Sequence, residues 1–415
     1  MKRLYTKIKN CRISHDKKLY KLIDFGKIYL TGIFPSKKNT KVLKTPLSIV
    51  FSNKSKLLQL EHNYNGDYLF GSNYGYRSSL NKSMVSHLKK KYLHLNQKLE
   101  LRKNDSILDI GSNDGTFLNF FPNYIKKVGC DPSAKKFRKY YKKNIRKIYK
   151  IFDKNVVKTI NHKFKLISAI AMFYDLSDPV EFCKNVEKLL DKNGIFHVEI
   201  AYLPDIFKEF SFDTFCQEHL TYYSLISFQN LINKTNFKII DYQRNIINGG
   251  SINFDLALKS SKIKPNLNKI NKLHNFEIKN NFHKLSKYKI FFDQIDKNIM
   301  EIKKKINFIS KSSKKIYCFG ASTKGNVTLQ LCKLDNKKIK AVYDVNKEKF
   351  GSYTPGTKII IKNEKQIIND KPDYLILLIW HFKKTIKQKF KKLRLDKINI
   401  ISLFPKLVIK KKISG

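Results

Sequence analysis

A chain of 415 residues, 42% hydrophobic and 13% aromatic, has material for two or three cores, which excludes global disorder. No apolar run approaches the ~20 residues that span a bilayer, and the basic start MKRLYTKIKNCRI predicts no secretory signal. The net charge of +51 is spread along the whole chain among abundant Asn and Ile, so it reads as solvated faces rather than a nucleic-acid stripe.

The six cysteines (11, 130, 183, 216, 318, 332) form no C-x-x-C pair, which predicts reduced thiols in a cytoplasm. In chain order, residues 1–75 predict a small β-rich domain, with strands in Leu19–Tyr29 and Leu47–Leu60. Cys11-x-x-Ser14 and Ser52-x-x-Ser55 have the spacing of a split zinc knuckle, but three of the four positions are serine. Serine hydroxyls are poor zinc ligands beside thiolate or imidazole, so no metal is expected. Tyr74 and Tyr76 lie two apart and share a face if the segment is extended. Residues 84–101 predict a helix leading into a strand.

That strand opens SILDIGSNDGTFL, residues 106–118. Ser106–Ile110 reads as a buried parallel strand, Gly111 to Gly115 as a turn that lets backbone approach a ligand, and Phe117 to Phe121 as the start of a helix. Free N–H groups at such a helix start suit a nucleotide-type ligand. A second strand, Val128–Cys130, ends in Asp131, placed to accept both hydroxyls of a ribose. LDIGSNDG followed by VGCDP resembles the S-adenosylmethionine site of class I methyltransferases.

Further strands are predicted at residues 164–173 and 194–203, separated by a helix over 180–190 that stops at 191–194. Residues 237–242 and 250–257 predict antiparallel closing strands, completing a doubly wound α/β sheet. Between them lies DTFCQEHLTYYS, residues 213–224. Its His219 follows the strand ends where open α/β sheets place substrates, and Glu218 beside it is a carboxylate able to raise its basicity, directly or through other groups. Residues 259–311 carry apolar side chains at helical spacing and predict a connector. A second α/β unit starts with a strand at 316–319, a glycine loop at 320–326 and a helix at 328–334, with strands at 339–343 and 374–379. Only the first unit is expected to carry the ribose acid. The predicted domains are 1–75, 76–258, 259–311 and 312–415.

NYGYRSSLN, LDIGSNDGTFL, VGCDP, FDTFCQEHLTYYSL, INGGSINF, GASTKGNVTLQ and YTPGTKI, in this order, resemble the three-part sugar-nucleotide C-methyltransferases over nearly the entire chain. The resemblance implies a zinc-type N-terminal domain with its ligands lost, a class I Rossmann-like methyltransferase domain and a second Rossmann-like C-terminal domain. It implies S-adenosylmethionine as cofactor and a nucleoside-diphosphate keto-deoxysugar as substrate, with no nucleic-acid or membrane partner. Carried over by position, Asp109, Gly111, Asn113, Gly115, Asp131 and Tyr74 would hold the cofactor. His219 would be the general base, with Glu218, Tyr222 and Tyr76 around it. Asn248, Gly249, Gly250, Ser251, Ser322, Lys324 and Asn326 would face the substrate. Two departures stand out: the family's four zinc cysteines are reduced to Cys11, and Cys216-Gln217 replaces a Tyr-His pair found before Glu-His in many relatives. The alternatives are an O- or N-methyltransferase of another small molecule, which would not need His219, and a non-catalytic relative.

Overall fold

The computed structural model describes residues 3–70, 75–392 and 398–410. Strands β1 (Tyr5–Lys7), β2 (Leu19–Tyr29), β3 (Lys44–Ser52), β4 (Leu57–Leu60) and β5 (His62–Tyr64) build the N-terminal part. β1 pairs with β5, and β2, β3 and β4 form an antiparallel meander. The zinc-knuckle positions meet as two hydrogen-bonded pairs, Cys11 Sγ 3.1 Å from Ser55 Oγ and Ser14 Oγ 3.3 Å from Ser52 Oγ. They still tie the turn after β1 to the β3–β4 turn.

The helix Lys82–Leu99 buries Met84, Leu88, Leu95 and Leu99 at spacings of one helical turn, and Lys91 lies in the same stripe. It leads to β6 (Ser106–Ile110), β7 (Lys126–Cys130), β8 (Ile145–Ile148), β9 (Phe164–Ile170) and β10 (Leu190–Ala201). β11 (Thr221–Tyr222) leaves this run to pair with β4, and β12 (Phe237–Asn245) and β13 (Ser251–Leu258) return to it. The resulting sheet has the order β12-β13-β10-β9-β6-β7-β8, with β13 antiparallel to both neighbours. The chain moves outward from β6 to β8 and then crosses to β9 on the other side of β6. That reversal opens a crevice at the carboxyl ends of β6 and β9, where doubly wound sheets bind ligands. Two expectations are corrected. Residues 191–194 do not stop a helix; they lie in β10, with a register irregularity between Leu190 and Ile195. After Gly115 the apolar residues form one 3₁₀ turn, Leu118–Phe120, and not an α-helix, because Pro122 breaks the helical pattern before it can propagate.

The connector is two helices, Leu267–Lys279 and Leu285–Ser310. The second buries Phe291, Phe292, Ile295, Ile299, Ile302, Ile306 and Ile309 on one stripe. A second doubly wound sheet follows: β14 (Ile316–Phe319), β15 (Val342–Asp344), β16 (Ile361–Asn363), β17 (Tyr374–Leu377), β18 (Asn399–Ser402) and β19 (Val408–Lys410), ordered β16-β15-β14-β17-β18-β19. Its first helix is Thr323–Leu331, starting inside the glycine loop rather than at 328, because the Ser322 hydroxyl caps it by accepting the Gly325 N–H at 3.0 Å. Side chains of β2–β4, residues 203–222, the long connector helix and the second sheet share one hydrophobic core.

Candidate active site

The first glycine loop is shaped by what presses on it. Gly111 and Gly115 both have φ of +75°, and a Cβ at Gly115 would lie 2.6 Å from the Tyr141 ring. Tyr141 bridges the loop, its hydroxyl 2.8 Å from Ser112 Oγ and donating to the Asn113 carbonyl at 2.9 Å. Asp131, at the tip of β7, accepts the Asn113 N–H at 2.8 Å on one oxygen and the Ser133 N–H at 2.6 Å on the other. Asp109, wholly inside β6, accepts the Ser168 hydroxyl at 2.6 Å; burial pushes its carboxyl up to about 7, with Asp131 nearby adding to the rise. Asn113 accepts the Ser78 N–H at 3.0 Å and donates to the Tyr76 carbonyl at 3.2 Å, so the segment before the helix Lys82–Leu99 is stitched across the loop. The Tyr76 side chain is 45% exposed. Tyr74 lies outside the described residues.

The turn after β9 joins this loop to the candidate base. Met172 lies where a Cβ on Gly111 would be, 2.7 Å from its Cγ, and two residues on the Tyr174 ring packs edge-on to His219 with centroids 4.5 Å apart. The Tyr174 carbonyl accepts the Leu220 N–H at 2.8 Å. His219 Nδ1 is 2.9 Å from the Thr214 carbonyl. A carbonyl only accepts, so Nδ1 carries the proton and Nε2 presents its lone pair. Burial and then the Lys324 cation lower His219 to about 4, so the ring is neutral at pH 7. The Glu218 carboxylate makes no hydrogen bond to the His219 ring, whose Nδ1 is on Thr214. It accepts the Thr31 hydroxyl at 3.2 Å, and burial raises its carboxyl. Tyr222 is 2% exposed, pairs with Leu58 across β11 and β4, and packs edge-on to Phe215 at 4.8 Å. That is a core position.

The residues expected to face the substrate come together from separate parts of the chain. Lys324 Nζ donates to the Asn248 carbonyl at 2.8 Å. The Trp380 ring covers Gly249 so closely that a Cβ there would lie 2.6 Å from it. A Cβ on Gly250 would meet Asp205 at 2.4 Å, and Ser251 Oγ donates to the Ile247 carbonyl at 3.0 Å. Asn326 donates to the Thr31 carbonyl at 2.7 Å, while its own side-chain oxygen is buried without a partner. Thr31 therefore contacts both Glu218 and Asn326, bringing the N-terminal part to the same place. Ser322 is used as the helix cap.

A family model described as "Methyltransferase domain" matches residues 84–242, and one described as "C-methyltransferase C-terminal domain" matches residues 246–405. C-methyltransferase NovU of Streptomyces niveus is 26% identical over 383 residues, covering 90% of each chain. The chain is therefore similar to C-methyltransferases over both matched stretches. A tRNA U34 carboxymethyltransferase of Campylobacter lari is 30% identical over 111 residues, 25% of this chain and 38% of that one. Among solved structures, a complex of the Haloferax volcanii Trm112 activator with a putative methyltransferase aligns with a TM-score of 0.34 and 11% identity, over 44% of this chain and 99% of that one.

This C-methyltransferase is an S-adenosylmethionine-dependent enzyme. Its residues fit that cofactor. Each Asp131 oxygen carries one N–H and keeps acceptor capacity for a ribose hydroxyl, and Met172 gives an apolar wall over the bare face of Gly111. Two buried acids escaped the sequence reading. The second unit does carry an acid at the tip of its second strand: Asp344 ends β15 and accepts the N–H groups of Ala321 and Asn346, each at 2.7 Å, as Asp131 does in the first unit. Its signal was available, since Asp344 follows the second glycine loop much as Asp131 follows the first, but a three-residue strand is too short to announce itself. Asp213 is the other. It is 0% exposed and accepts the Trp380 indole N–H at 2.9 Å, a contact between residues 167 apart in sequence.

Proposed function

We propose that this methyltransferase adds a methyl group to a ring carbon next to the ketone of a nucleoside-diphosphate keto-deoxysugar, in deoxysugar or surface-polysaccharide synthesis. The observation that carries the reading is His219: a neutral imidazole with a free Nε2, within a short turn of the cofactor loop and beside the glycine loop of the second sheet. A carbon acid adjacent to a ketone needs a base, and methylation of an oxygen or amine does not need one of this kind. In this reading Nε2 takes the α-proton while Nδ1–H stays on the Thr214 carbonyl, which fixes the ring as it charges. Lys324, close enough to weaken His219, favours the negative charge that develops on the ketone oxygen and the anionic handle of the substrate alike. Gly111, Gly115, Asp109 and Asp131 would hold S-adenosylmethionine, which when bound supplies a methyl group already activated on a sulfonium. Holding both ligands in one site contributes by keeping them in reach of each other.

The test is titration calorimetry with S-adenosylhomocysteine on wild type and Asp131→Ala, followed by assay of keto-sugar nucleotides with His219→Ala as control. Binding lost in Asp131→Ala and C-methylation lost in His219→Ala are the expected results. Methyl transfer that persists in His219→Ala points instead to an O- or N-acceptor.

A further inference from the structure

A base is only as well aimed as the hydrogen bond behind it, and the group behind His219 belongs to a turn that the second sheet grips. We propose that Asp213 and Trp380 are positioning residues for His219: a tryptophan delivered by the C-terminal sheet clamps the turn whose carbonyl fixes the imidazole. The proposal rests on reading His219 as the base.

Asp213 opens the argument because a buried carboxylate must be compensated. It is 0% exposed, with Oδ2 on the Trp380 indole N–H at 2.9 Å. Its Oδ1 has no hydrogen-bond partner, and the N–H groups of Asp213 and Thr214 in its own turn hold the carboxyl down against burial. The next acceptor along that turn is the Thr214 carbonyl, which takes the His219 Nδ1 proton at 2.9 Å. Trp380 is itself immobilised, lying over Gly249 and 5.6 Å in centroid distance from Phe404. A clamp made for packing alone would not need a charge. The charge has a partner in Lys324, whose cation reaches Asp213, His219 and His381 and lowers the basicity of both histidines. On the other flank are Glu218, held by Thr31, and Asp175, whose carboxyl is raised by burial and by Glu218. Without the Asp213 carboxylate, the Lys324 charge next to His219 loses its counter-charge, and the turn that carries the Thr214 carbonyl is left to its backbone bonds, Thr214 N–H on Ser211 and Phe215 N–H on Phe212. Burial pushes Asp213 up to about 6, so the clamp is charged at neutral pH and discharges just below it.

The full-length variants Asp213→Asn and Trp380→Phe test this, the second keeping an aromatic ring and losing the N–H. Steady-state rates with a keto-sugar nucleotide would be read across pH 5–9. Nitrogen shifts of ¹⁵N-histidine-labelled protein would report the tautomer, with His219 identified by the signals lost in His219→Gln. We expect kcat to fall about tenfold or more in both variants with KM within twofold, and a mixed tautomer at His219. The wild-type rate should decline below about pH 6, a limb missing in Asp213→Asn. Both variants keeping kcat within twofold and the Nδ1–H tautomer would overturn the clamp while leaving the proposed reaction intact. A wild type that methylates no keto-sugar nucleotide, with a tautomer that still depends on Asp213 and Trp380, would instead sink the substrate reading and leave the clamp standing.

Discussion

At the scale of single residues, the proposed function depends on a few polar atoms whose second partner fixes their behaviour. His219 is the plainest case, with one nitrogen spent on a carbonyl and the other left basic. His219→Ala should lower the rate of C-methylation by about 10²–10⁴-fold, the usual size of a general-base contribution. Its affinity for S-adenosylhomocysteine, measured by calorimetry, should change less than twofold, because Tyr174, which packs on the ring, and Met172, which packs on Gly111, separate it from the first glycine loop. Gly115 tests the other ligand. At φ of +75° an alanine is strained by about 1–2 kcal/mol, and its methyl would be 2.6 Å from the Tyr141 ring that braces the loop. Gly115→Ala should therefore weaken S-adenosylhomocysteine at least tenfold, and an unchanged dissociation constant would mean the loop does not hold the cofactor.

At the scale of elements, the helix Lys82–Leu99 is docked by charge as much as by its leucines. Lys91, in the apolar stripe, donates to Glu199 at 2.7 Å and to His197 Nε2 at 3.0 Å, and His197 Nδ1 in turn donates to Asp255 at 2.7 Å. His87 holds Glu199 at 2.9 Å. Lys91 and His87 outweigh the burial of Glu199 and lower its carboxyl from 4.5 to about 2. A depressed carboxyl stabilises the fold above its unfolded value and loses that contribution as pH falls through the folded one. The term is on the order of 3 kcal/mol, fully present above about pH 5 and fading between pH 4.5 and 2. Glu199→Gln should lower the urea unfolding free energy by about that much at pH 7 and by little near pH 2. An equal loss at both would show that packing, not charge, is what the substitution removed. This element also marks where sequence reading stops. The first glycine loop and Asp131 are legible because they lie within about twenty residues of each other, and Glu218-His219 because the pair carries its own residue signature. The Glu199 network, Trp380 on Asp213 and Thr31 on Glu218 join residues far apart along the chain, and no local pattern announces them. The apolar residues after Gly115 mislead for the opposite reason: composition favours a helix while Pro122 leaves no room for one.

At the scale of the whole molecule, the three parts share one core, in which Ile49 and Leu58 of the N-terminal sheet, Ile302 and Ile306 of the connector, and Ile316 and Ile376 of the second sheet belong together. Thr31 then joins Glu218 to Asn326. Calorimetry should accordingly give no separate early transition for the N-terminal sheet, since it cannot leave without stripping apolar surface from the rest. A distinct low-temperature peak abolished by deleting residues 1–70 would contradict this.

The two hydrogen-bonded pairs at Cys11–Ser55 and Ser14–Ser52 bear on how the protein is made in the cell. A domain closed by four thiolates folds only as fast as zinc arrives, and it competes for that zinc with every other thiolate site. Here hydroxyls and one thiol close the same turns through hydrogen bonds, and maturation that does not wait on a trace nutrient is the expected consequence. Protein expressed under zinc starvation should have the same melting temperature and soluble yield as protein from replete cells, and prolonged treatment with EDTA should leave both unchanged.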